Sequence, residues 1–376
     1  MGKRTFSRES YESASSLFAS AEGPVTLRAE QVAHKTGKLN PLVDPAGYGV
    51  IRRSLPRLEK RADGLWVLTV GTPIPKEVRV DTTGSMGNNV DIAFRVLPRD
   101  YELCSGVLPG YDLQSAIGIF GDVGDQFVLC RPQFEMEAEK IVEQLTLMVP
   151  ERAGGDKPED PHYGLFGAAY LTAAHVDYIG LKGYDFTVSD APARDRLDES
   201  QLRRIYGEEV FEKVAELAGG RYLWTPRDLP STTEVVRHLL FRAHAFFLQV
   251  GDAPDTRAFW TKVFGAERVV VLPSTELLPE VQATIIGLTE GTLTLQEIEE
   301  FLRENNVEKS DAKKIERSVA NIPIGVQAAL PNFGKRPQKG DLFREKTDPW
   351  PIDPRELDSE APSSEESDDP EGPSWL

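Results

Sequence analysis

The sequence predicts a three-layer α/β fold, in which a doubly wound, mostly parallel sheet carries helices on both faces and a small helical extension follows. Short β-rich runs such as EVRV and YDFTV alternate along the chain with runs of helical periodicity such as MEAEKIVEQLTLMV. This alternation is typical of a parallel sheet covered by crossover helices. The chain has 376 residues, 40% of them hydrophobic, and is therefore long enough to bury one large core.

The individual elements follow from local patterns. Strands are predicted, in order, at LWVLTV, EVRV, SAIGIFGDV, FVLC, YDFTV, AFFLQV and RVVVL, because these runs are rich in β-branched and aromatic residues. Helices are predicted at NNVDIAFRVLPRDYELC, MEAEKIVEQLTLMV, GLFGAAYLTAAHV, ESQLRRIYGEEVFEKVAELA, TRAFWTKVF and LLPEVQATIIGLTEG. After Gly291, Thr294 and Glu297 form a capping-box pattern before one helix, and a second helix from Ser310 to Val319 completes a hairpin.

Composition divides the chain into four parts. Residues 1–62 have a net charge of +5 and are punctuated by Pro and Gly, which predicts a basic, partly disordered arm. The α/β domain is predicted at 63–291, and the helical hairpin extension at 292–344 either packs on it or binds a partner. Residues 345–376 contain 11 acidic and 2 basic residues, which predicts an acidic disordered tail that only solubilises the protein or binds a partner.

Several classes of protein do not fit this composition. Neither end has the apolar run of a signal peptide, and no 18-residue apolar segment could cross a membrane. Cys104 and Cys130 form no CxxC pair, so we predict a reduced, cytoplasmic protein without a membrane segment. A net charge of −17 argues against nucleic-acid binding.

The most informative motif is DTTGSMG, which directly follows the predicted strand EVRV. It places one carboxylate and two hydroxyls at alternate positions, in Asp81, Thr83 and Ser85, at a strand end that turns into a helix. Oxygens released in this way can converge on one hard divalent cation. The motif therefore predicts a metal site.

Two further loops carry acidic residues in the same context. Asp156 lies in GGDKPEDPHYGL, and Asp190 follows the predicted strand YDFTV directly. Open α/β sheets bind ligands beyond the carboxyl ends of their strands. We therefore expect the three loops to meet at one edge of the sheet.

The three loops resemble the metal-ion-dependent adhesion site of von Willebrand factor type A (vWA) domains, whose first motif reads Asp-x-Ser-x-Ser. Thr83 keeps the hydroxyl of the first Ser, and Asp190 takes the place of the family's third-loop Asp. The second loop resembles the GGD-x-PED form of some bacterial members, which suggests a bacterial or phage-like origin. The resemblance covers roughly residues 63–291.

The resemblance implies a metal and its ligands. It implies Mg²⁺ (or Mn²⁺) as cofactor, with Thr83 and Ser85 as direct ligands and Asp81 and Asp190 acting mainly through water. A partner protein would complete the coordination sphere with an acidic residue. The family normally has Thr where Asp156 stands, and three carboxylates around a divalent ion leave a net charge of −1 that disfavours an acidic ligand. Asp156 therefore either points away and caps the next helix, or makes the site favour metal retention.

We accordingly expect a divalent-metal-dependent protein-interaction module acting in a larger intracellular complex, and similar bacterial modules accompany an ATPase or a kinase. The motifs G-x-x-x-x-G-K-[ST], G-x-G-x-x-G, H-E-x-x-H and G-x-S-x-G are missing from the sequence, which argues against an enzyme. Two alternatives stay open: a Mg-dependent hydrolase or phosphotransferase subunit with Asp122 or Asp156 as base, and a structural component of a large assembly.

Overall fold

The computed structural model describes residues 26–108, 110–152, 154, 158–218 and 228–346. Its strands in chain order are β1 (Arg52–Ser54), β2 (Leu58–Lys60), β3 (Trp66–Leu68), β4 (Thr72–Asp81), β5 (Tyr111–Phe120), β6 (Leu129–Cys130), β7 (Thr172–Ala174), β8 (Gly183–Ser189), β9 (Ala243–Gln249), β10 (Val269–Val271) and β11 (Leu342–Phe343). Six of them form the central sheet in the order β10-β9-β8-β4-β5-β6. Only β6 runs antiparallel to its neighbour in this sheet.

The helices of the described residues are α1 (Leu27–Thr36), α2 (Asn89–Gly106), α3 (Ala138–Thr146), α4 (Pro161–Tyr170), α5 (His175–Tyr178), α6 (Glu199–Tyr206), α7 (Val210–Ala218), α8 (Thr232–Arg242), α9 (Pro254–Phe264), α10 (Leu278–Glu290), α11 (Ile298–Glu304) and α12 (Lys309–Val319). Because parallel strands need crossover connections, most of these helices lie between successive strands of the sheet. The strand order and directions confirm the predicted mostly parallel α/β fold class.

The two faces of the central sheet contribute to two different cores. Val78 and Val80 belong to a core that also contains side chains of α2, α3 and α10. On the opposite face, Phe120 and Phe247 pack with side chains of α4, α8 and α9. Helices therefore cover both faces of the sheet, as the three-layer prediction required.

The second face of β4 also carries buried charges. Arg79 donates to Asp185 of β8 over 2.9 Å, and Arg131 donates to Glu77 over 2.8 Å. Burial raises the pKa of Glu77, but Arg131 and Arg79 outweigh it and lower that pKa to about 2. Helix α4 packs closely on this group, since a Cβ at Gly164 would lie 2.4 Å from Cδ of Arg79. Removing one member would leave a buried charge uncompensated, which is strongly destabilising.

The two predicted appendages contain residues packed on the domain. Ile298, Leu302 and Ile315 of the helical extension are fully buried in the core on the α2 side. Residues 26–62 form α1, β1 and β2, and β1 pairs in parallel with β7. The remainder of the predicted arm, residues 1–25, and most of the predicted tail, residues 347–376, lie outside the described residues.

Two local predictions were wrong, and one helix was not predicted. The helix predicted over GLFGAAYLTAAHV ends at Tyr170, because the next residues pair with β1 as strand β7. The single helix predicted from Glu199 onward is two helices, separated at Gly207, whose φ of 88° is incompatible with a continuous helix. Helix α8 was not predicted.

Candidate metal centre

The site begins where β4 ends. Asp81 is the last residue of β4, and its neighbour β8 ends beside it because the two strands pair in parallel, with Val80 opposite Val188. The Asp81 carboxylate accepts hydrogen bonds from the Thr83 amide at 2.8 Å and the Thr83 hydroxyl at 2.7 Å. Its other oxygen accepts from the Ser189 hydroxyl at 2.5 Å. Asp81 is thus fixed by the first and third loops together.

The remaining predicted ligands continue this chain of contacts. The Ser85 hydroxyl donates to Asp190 Oδ1 at 2.8 Å, and the Thr83 and Ser85 hydroxyl oxygens lie 3.3 Å apart. We call Asp81, Thr83, Ser85 and Asp190 the hydroxyl–carboxylate cluster. The structure brings these four predicted residues together, whereas Asp156 lies outside the described residues.

The donor set of the cluster fits a hard divalent cation. Because the Thr83 and Ser85 hydroxyls donate their protons to carboxylates, their lone pairs stay available for a ligand. Adjacent ligands of an octahedral ion with bonds of about 2.0–2.1 Å lie about 2.9 Å apart, close to the 3.3 Å between these oxygens. An all-oxygen set of this kind suits Mg²⁺ or Mn²⁺ better than a soft metal.

The cluster contains a buried carboxylate, and burying a charge without a counter-charge costs free energy. Asp81 is fully buried, and its pKa is about 6, because the effect of burial, with a smaller effect of the nearby Asp190 charge, outweighs the hydrogen bonds from Ser189 and Thr83 that lower the pKa. Within the described ranges, no group of three or more His, Cys, Asp or Glu side chains is arranged to hold a metal. A cation here would therefore depend on the two hydroxyls as well as on carboxylates.

Glu159 was missed by the sequence reasoning, which chose Asp156 from the same loop. Its side chain is 3% exposed, and its Oε2 has no hydrogen-bond partner among the described residues. The pKa of Glu159 is raised to about 8, mainly by burial and also by the charges of Asp81, Asp122 and Asp160, while the Thr83 hydroxyl lowers it. The PED signal directly before α4 could have drawn attention to it, but its burial is a tertiary property.

Helix α9 supports the third loop from behind. The Thr256 hydroxyl donates to the Asp190 carbonyl at 3.1 Å, and the Trp260 indole donates to the Ala191 carbonyl at 2.9 Å. Both donors sit on one face of α9, and Trp260 stacks on Phe247 of β9 with ring centroids 4.4 Å apart. The backbone that carries Asp190 is therefore held by a buried helix.

The acidic residues after β5 form a turn and an ion-pair group at the rim. The Asp125 carboxylate accepts from the Asp122 amide, and the Asp122 carboxylate accepts from the Gly124 amide, both at 2.8 Å. Arg194 donates to Asp160 at 2.5 Å and to Asp122 at 3.3 Å. Asp122 and Asp125 thus stabilise the turn that follows β5.

The comparisons with known proteins found structural likeness only. No protein-family model and no curated protein matches the chain. The vWF domain of the type V pili tip protein Mfa5 from Porphyromonas gingivalis is 10% identical with a TM-score of 0.37, over 58% of this chain and 95% of that one.

In two other matched structures, the matched region is a smaller part of the known protein. The pilus adhesin SpaC from Lactobacillus rhamnosus GG, in its open conformation, is 12% identical with a TM-score of 0.39, over 61% of this chain. Proximal thread matrix protein 1 from the mussel byssus is 9% identical with a TM-score of 0.36, over 58% of this chain. The matched regions span 33% of the SpaC chain and 48% of the mussel chain.

The described helices give one finding on membranes. None of them combines the length and the apolar composition that a membrane span needs. The predicted cytoplasmic location stays a prediction.

Proposed function

We propose that this chain is a divalent-metal-dependent protein-interaction module, in which the hydroxyl–carboxylate cluster binds Mg²⁺ or Mn²⁺ and a partner protein binds at the metal. The supporting observation is the unbroken series of hydrogen bonds Asp81–Thr83–Ser85–Asp190 at the carboxyl edge of a parallel sheet. Four oxygen-bearing side chains from two separate loops meet there, although more than a hundred residues separate the loops in the sequence.

Burial distinguishes the residues of the cluster that would anchor the ion from those that would face a partner. Asp81 and Thr83 are buried and would anchor the ion, whereas Ser85 is exposed and Asp190 is partly exposed. When bound, the cation supplies a Lewis-acidic position to which an oxygen of a partner can bind. Asp81 and Asp190 would keep the hydroxyl protons directed away from the ion. The site is therefore open to a protein surface on one side.

The hydrolase or phosphotransferase alternative gains no support from the contacts of Asp122. As a general base in a hydrolase or phosphotransferase, Asp122 would need a carboxylate free to accept a proton. Its carboxylate instead accepts from the Gly124 amide and faces Arg194. The proposal therefore keeps the adaptor role in a larger intracellular complex, with an ATPase or a kinase as the expected kind of partner.

Calorimetric titration with MgCl₂ and MnCl₂ tests the metal. Chelator-treated protein should bind one divalent ion, and the double variant Asp81→Asn, Ser85→Ala should lose measurable binding because an anchor and a direct ligand are gone. Asp252→Asn is a matched control, since Asp252 follows β9 at the same edge but pairs with Arg257 outside the cluster. Absence of binding in the wild type, or equal binding in the double variant, would refute the metal site.

Affinity capture tests the interaction. Proteins from the native cell extract should be retained by the wild type in MgCl₂, released by EDTA, and not retained by the double variant. Mass spectrometry then identifies only proteins that meet all three conditions. If metal binds but no protein meets them, the interaction role is wrong and the site has another use.

A further inference from the structure

A cleft lies between helices α2 and α10 and the helical extension. Its volume is about 600 Å³, which is in the range of small-molecule binding sites. Arg99 and Glu102 of α2, Glu280 of α10 and the turn 305–308 between α11 and α12 contribute to its wall. No residue of the hydroxyl–carboxylate cluster lines this cleft, so it is a separate candidate site.

The cleft is strongly acidic. Six of the residues that line it are Asp or Glu and one is Arg, which gives a formal net charge of −5. Arg99 donates to Glu280, and Lys314 pairs with Asp311 at 2.6 Å. The other four carboxylates form no ion pair with a described residue, and they belong to Glu102, Glu276, Glu304 and Glu308. A cleft lined by charges of one sign focuses the electric field and concentrates ligands of the opposite charge.

Glu280 is the buried carboxylate of the cleft. Its side chain is 2% exposed, Arg99 donates only to its Oε1, and its Oε2 has no hydrogen-bond partner among the described residues. The pKa of Glu280 is raised, mainly by burial and also by the charge of Asp100, whereas Arg99 lowers it. A buried carboxylate oxygen without a partner costs free energy. A hydrogen-bond donor bound in the cleft would remove this cost.

Apolar side chains and a neutral oxygen lie beside the carboxylates. Leu103, Leu277 and Val307 line the cleft, and Leu103 and Val307 are buried. The Asn305 side-chain amide donates to the Phe301 carbonyl at 2.8 Å, which leaves its oxygen available as an acceptor. An alkyl chain can pack on apolar surface while its charged end binds polar groups, as Lys side chains do. The cleft therefore suits an aliphatic cation.

A divalent metal ion fits the cleft less well than such a molecule. Among the residues that the structure describes, no three His, Cys, Asp or Glu side chains are arranged to hold one ion. Hard cations such as Ca²⁺ need several oxygen ligands around a single point. The carboxylates of the cleft are spread along its wall, so a ligand with several separated positive charges matches them better.

We propose that this cleft binds a small aliphatic polyamine, a linear molecule whose ammonium groups are separated by short methylene chains. One ammonium group lies beside Glu280 and satisfies its free oxygen, and the others pair with the exposed carboxylates. The methylene chains pack on Leu103, Leu277 and Val307. Because the bound molecule contacts both the extension and the α/β domain, it stabilises their packing.

Calorimetric titration with spermidine at about 0.15 M salt, which screens non-specific attraction, tests the proposal. The wild type should bind one molecule, and Glu304→Gln, Glu308→Gln should raise the Kd about tenfold or more, because two charges that face the ligand are lost. Both side chains are exposed and form no ion pair with a described residue, so the fold should be kept. Glu300→Gln, Glu316→Gln is the matched control, since it removes the same charge from α11 and α12 at positions that do not line the cleft.

The control should bind spermidine with a Kd within twofold of the wild type. Absence of binding in the wild type, or an equal loss of affinity in the control, would overturn the proposal. The second result would mean that spermidine is attracted only by the overall negative charge.

Glu280→Gln tests the buried oxygen. It should raise the Kd for spermidine, because a neutral amide attracts an ammonium group less than a carboxylate does. Spermidine should raise the Tm of the wild type, since a ligand that binds only the folded state stabilises it, and it should raise the Tm of the variant less. An unchanged Kd in a folded Glu280→Gln protein would overturn the proposal. If this variant does not fold, the exposed double variant decides.

A lysine peptide separates the two sources of alkylammonium groups. Trilysine with blocked ends has the same number of ammonium groups as spermidine but carries them on a peptide backbone. Weaker binding of the peptide supports a free polyamine as the ligand. Tighter binding, weakened by Glu304→Gln, Glu308→Gln, would overturn this assignment in favour of a lysine-rich protein segment.

The cleft is tested separately from the proposed metal site. In chelator-treated protein, Asp81→Asn, Ser85→Ala should bind spermidine as the wild type does, whether or not the wild type binds Mg²⁺. Loss of spermidine binding in this variant would place the polyamine at the hydroxyl–carboxylate cluster and overturn the proposal.

Discussion

Single carboxyl groups in this protein are buried at the ends of elements, where burial controls their protonation. Glu290 is the last residue of α10 and is 5% exposed. It accepts a hydrogen bond from the Tyr184 hydroxyl at 2.6 Å. Burial raises the pKa of Glu290 to about 7, although the bond from Tyr184 and the charge of Arg336 lower it. Glu290, which lies outside the candidate metal centre, therefore makes the free energy of unfolding depend on pH.

The Glu290→Gln variant should change the pH dependence of stability. The pKa of Glu290 is about 7 in the folded protein and 4.5 as a reference, so its protonation stabilises the fold fully below pH 4.5. That stabilisation is lost as the pH rises through 7, and it amounts to about 3 kcal/mol at most. Gln cannot ionise, so the variant should gain free energy of unfolding relative to the wild type between these pH values. Urea unfolding across this range measures the difference, and parallel pH profiles would contradict the assignment.

The site illustrates what residue patterns can predict. Asp81 is the last residue of β4 and Asp190 directly follows β8, and these strands lie side by side in a parallel sheet, so the fold class brings the two carboxylates to the same edge. Thr83 and Ser85 lie within four residues of Asp81, so the same loop places them at the same edge of the sheet. Glu159 could not be predicted in the same way, because its burial depends on the bridge between Glu159 and Ala193. No local periodicity encodes such a pairing of two loops.

At the scale of elements, residues at helix ends, such as the capping box of α8, set where helices begin and end. Helix α8 starts with a capping box, in which Ser231 accepts from the Glu234 amide and Glu234 accepts from the Ser231 amide. Its apolar pattern is weak, and the Ser-x-x-Glu signal in STTE was the only local indication of a helix start. Strands β8 and β9 and helices α2, α9 and α10 were predicted close to their full length, whereas the predicted run EVRV covers only Glu77–Val80 of β4. The helix over GLFGAAY was predicted too long, because β7 pairs with a strand far away in the chain.

Removing the cap of α8 should destabilise the protein measurably. Ser231→Ala deletes the side-chain acceptor for the Glu234 amide, and we expect it to lower the free energy of unfolding by about 1 kcal/mol. Ser231→Thr keeps a hydroxyl that can both accept from the Glu234 amide and donate to the Glu234 carboxylate, so it should stay within about 0.5 kcal/mol of the wild type. Urea unfolding at pH 7 compares the three proteins. An equal loss in both variants would show that the cap is not the cause.

At the scale of the whole molecule, the helical extension is part of the main core. Residues of α11 and α12 belong to the same apolar cluster as β4 and α2. The capping box predicted at Thr294 and Glu297 is present and precedes a short 3₁₀ turn that leads into α11. The sequence left packing and partner binding open for this hairpin, because an amphipathic stripe does not reveal what covers it. In the fold, the stripe of α12 is covered by the chain itself.

An alanine substitution in α12 tests this integration. Ile315 is fully buried, so Ile315→Ala should lower the free energy of unfolding by about 2–5 kcal/mol. Lys313→Ala lies on the exposed side of the same helix and should change it by less than about 0.5 kcal/mol. Differential scanning calorimetry should show one transition in all three proteins. A separate early transition in Ile315→Ala would mean that the extension unfolds independently.

The support behind the third loop has an optical consequence. The Trp260 indole is fully buried and donates its proton to the carbonyl of Ala191, the residue after Asp190. Indole emission responds to the hydrogen bond and to the polarity around the ring. Trp260 is one of five tryptophans in the chain, so a variant in which the other four are replaced by Phe would carry a single built-in fluorophore one peptide away from the candidate metal centre, and its emission would report the position of this loop without any added label.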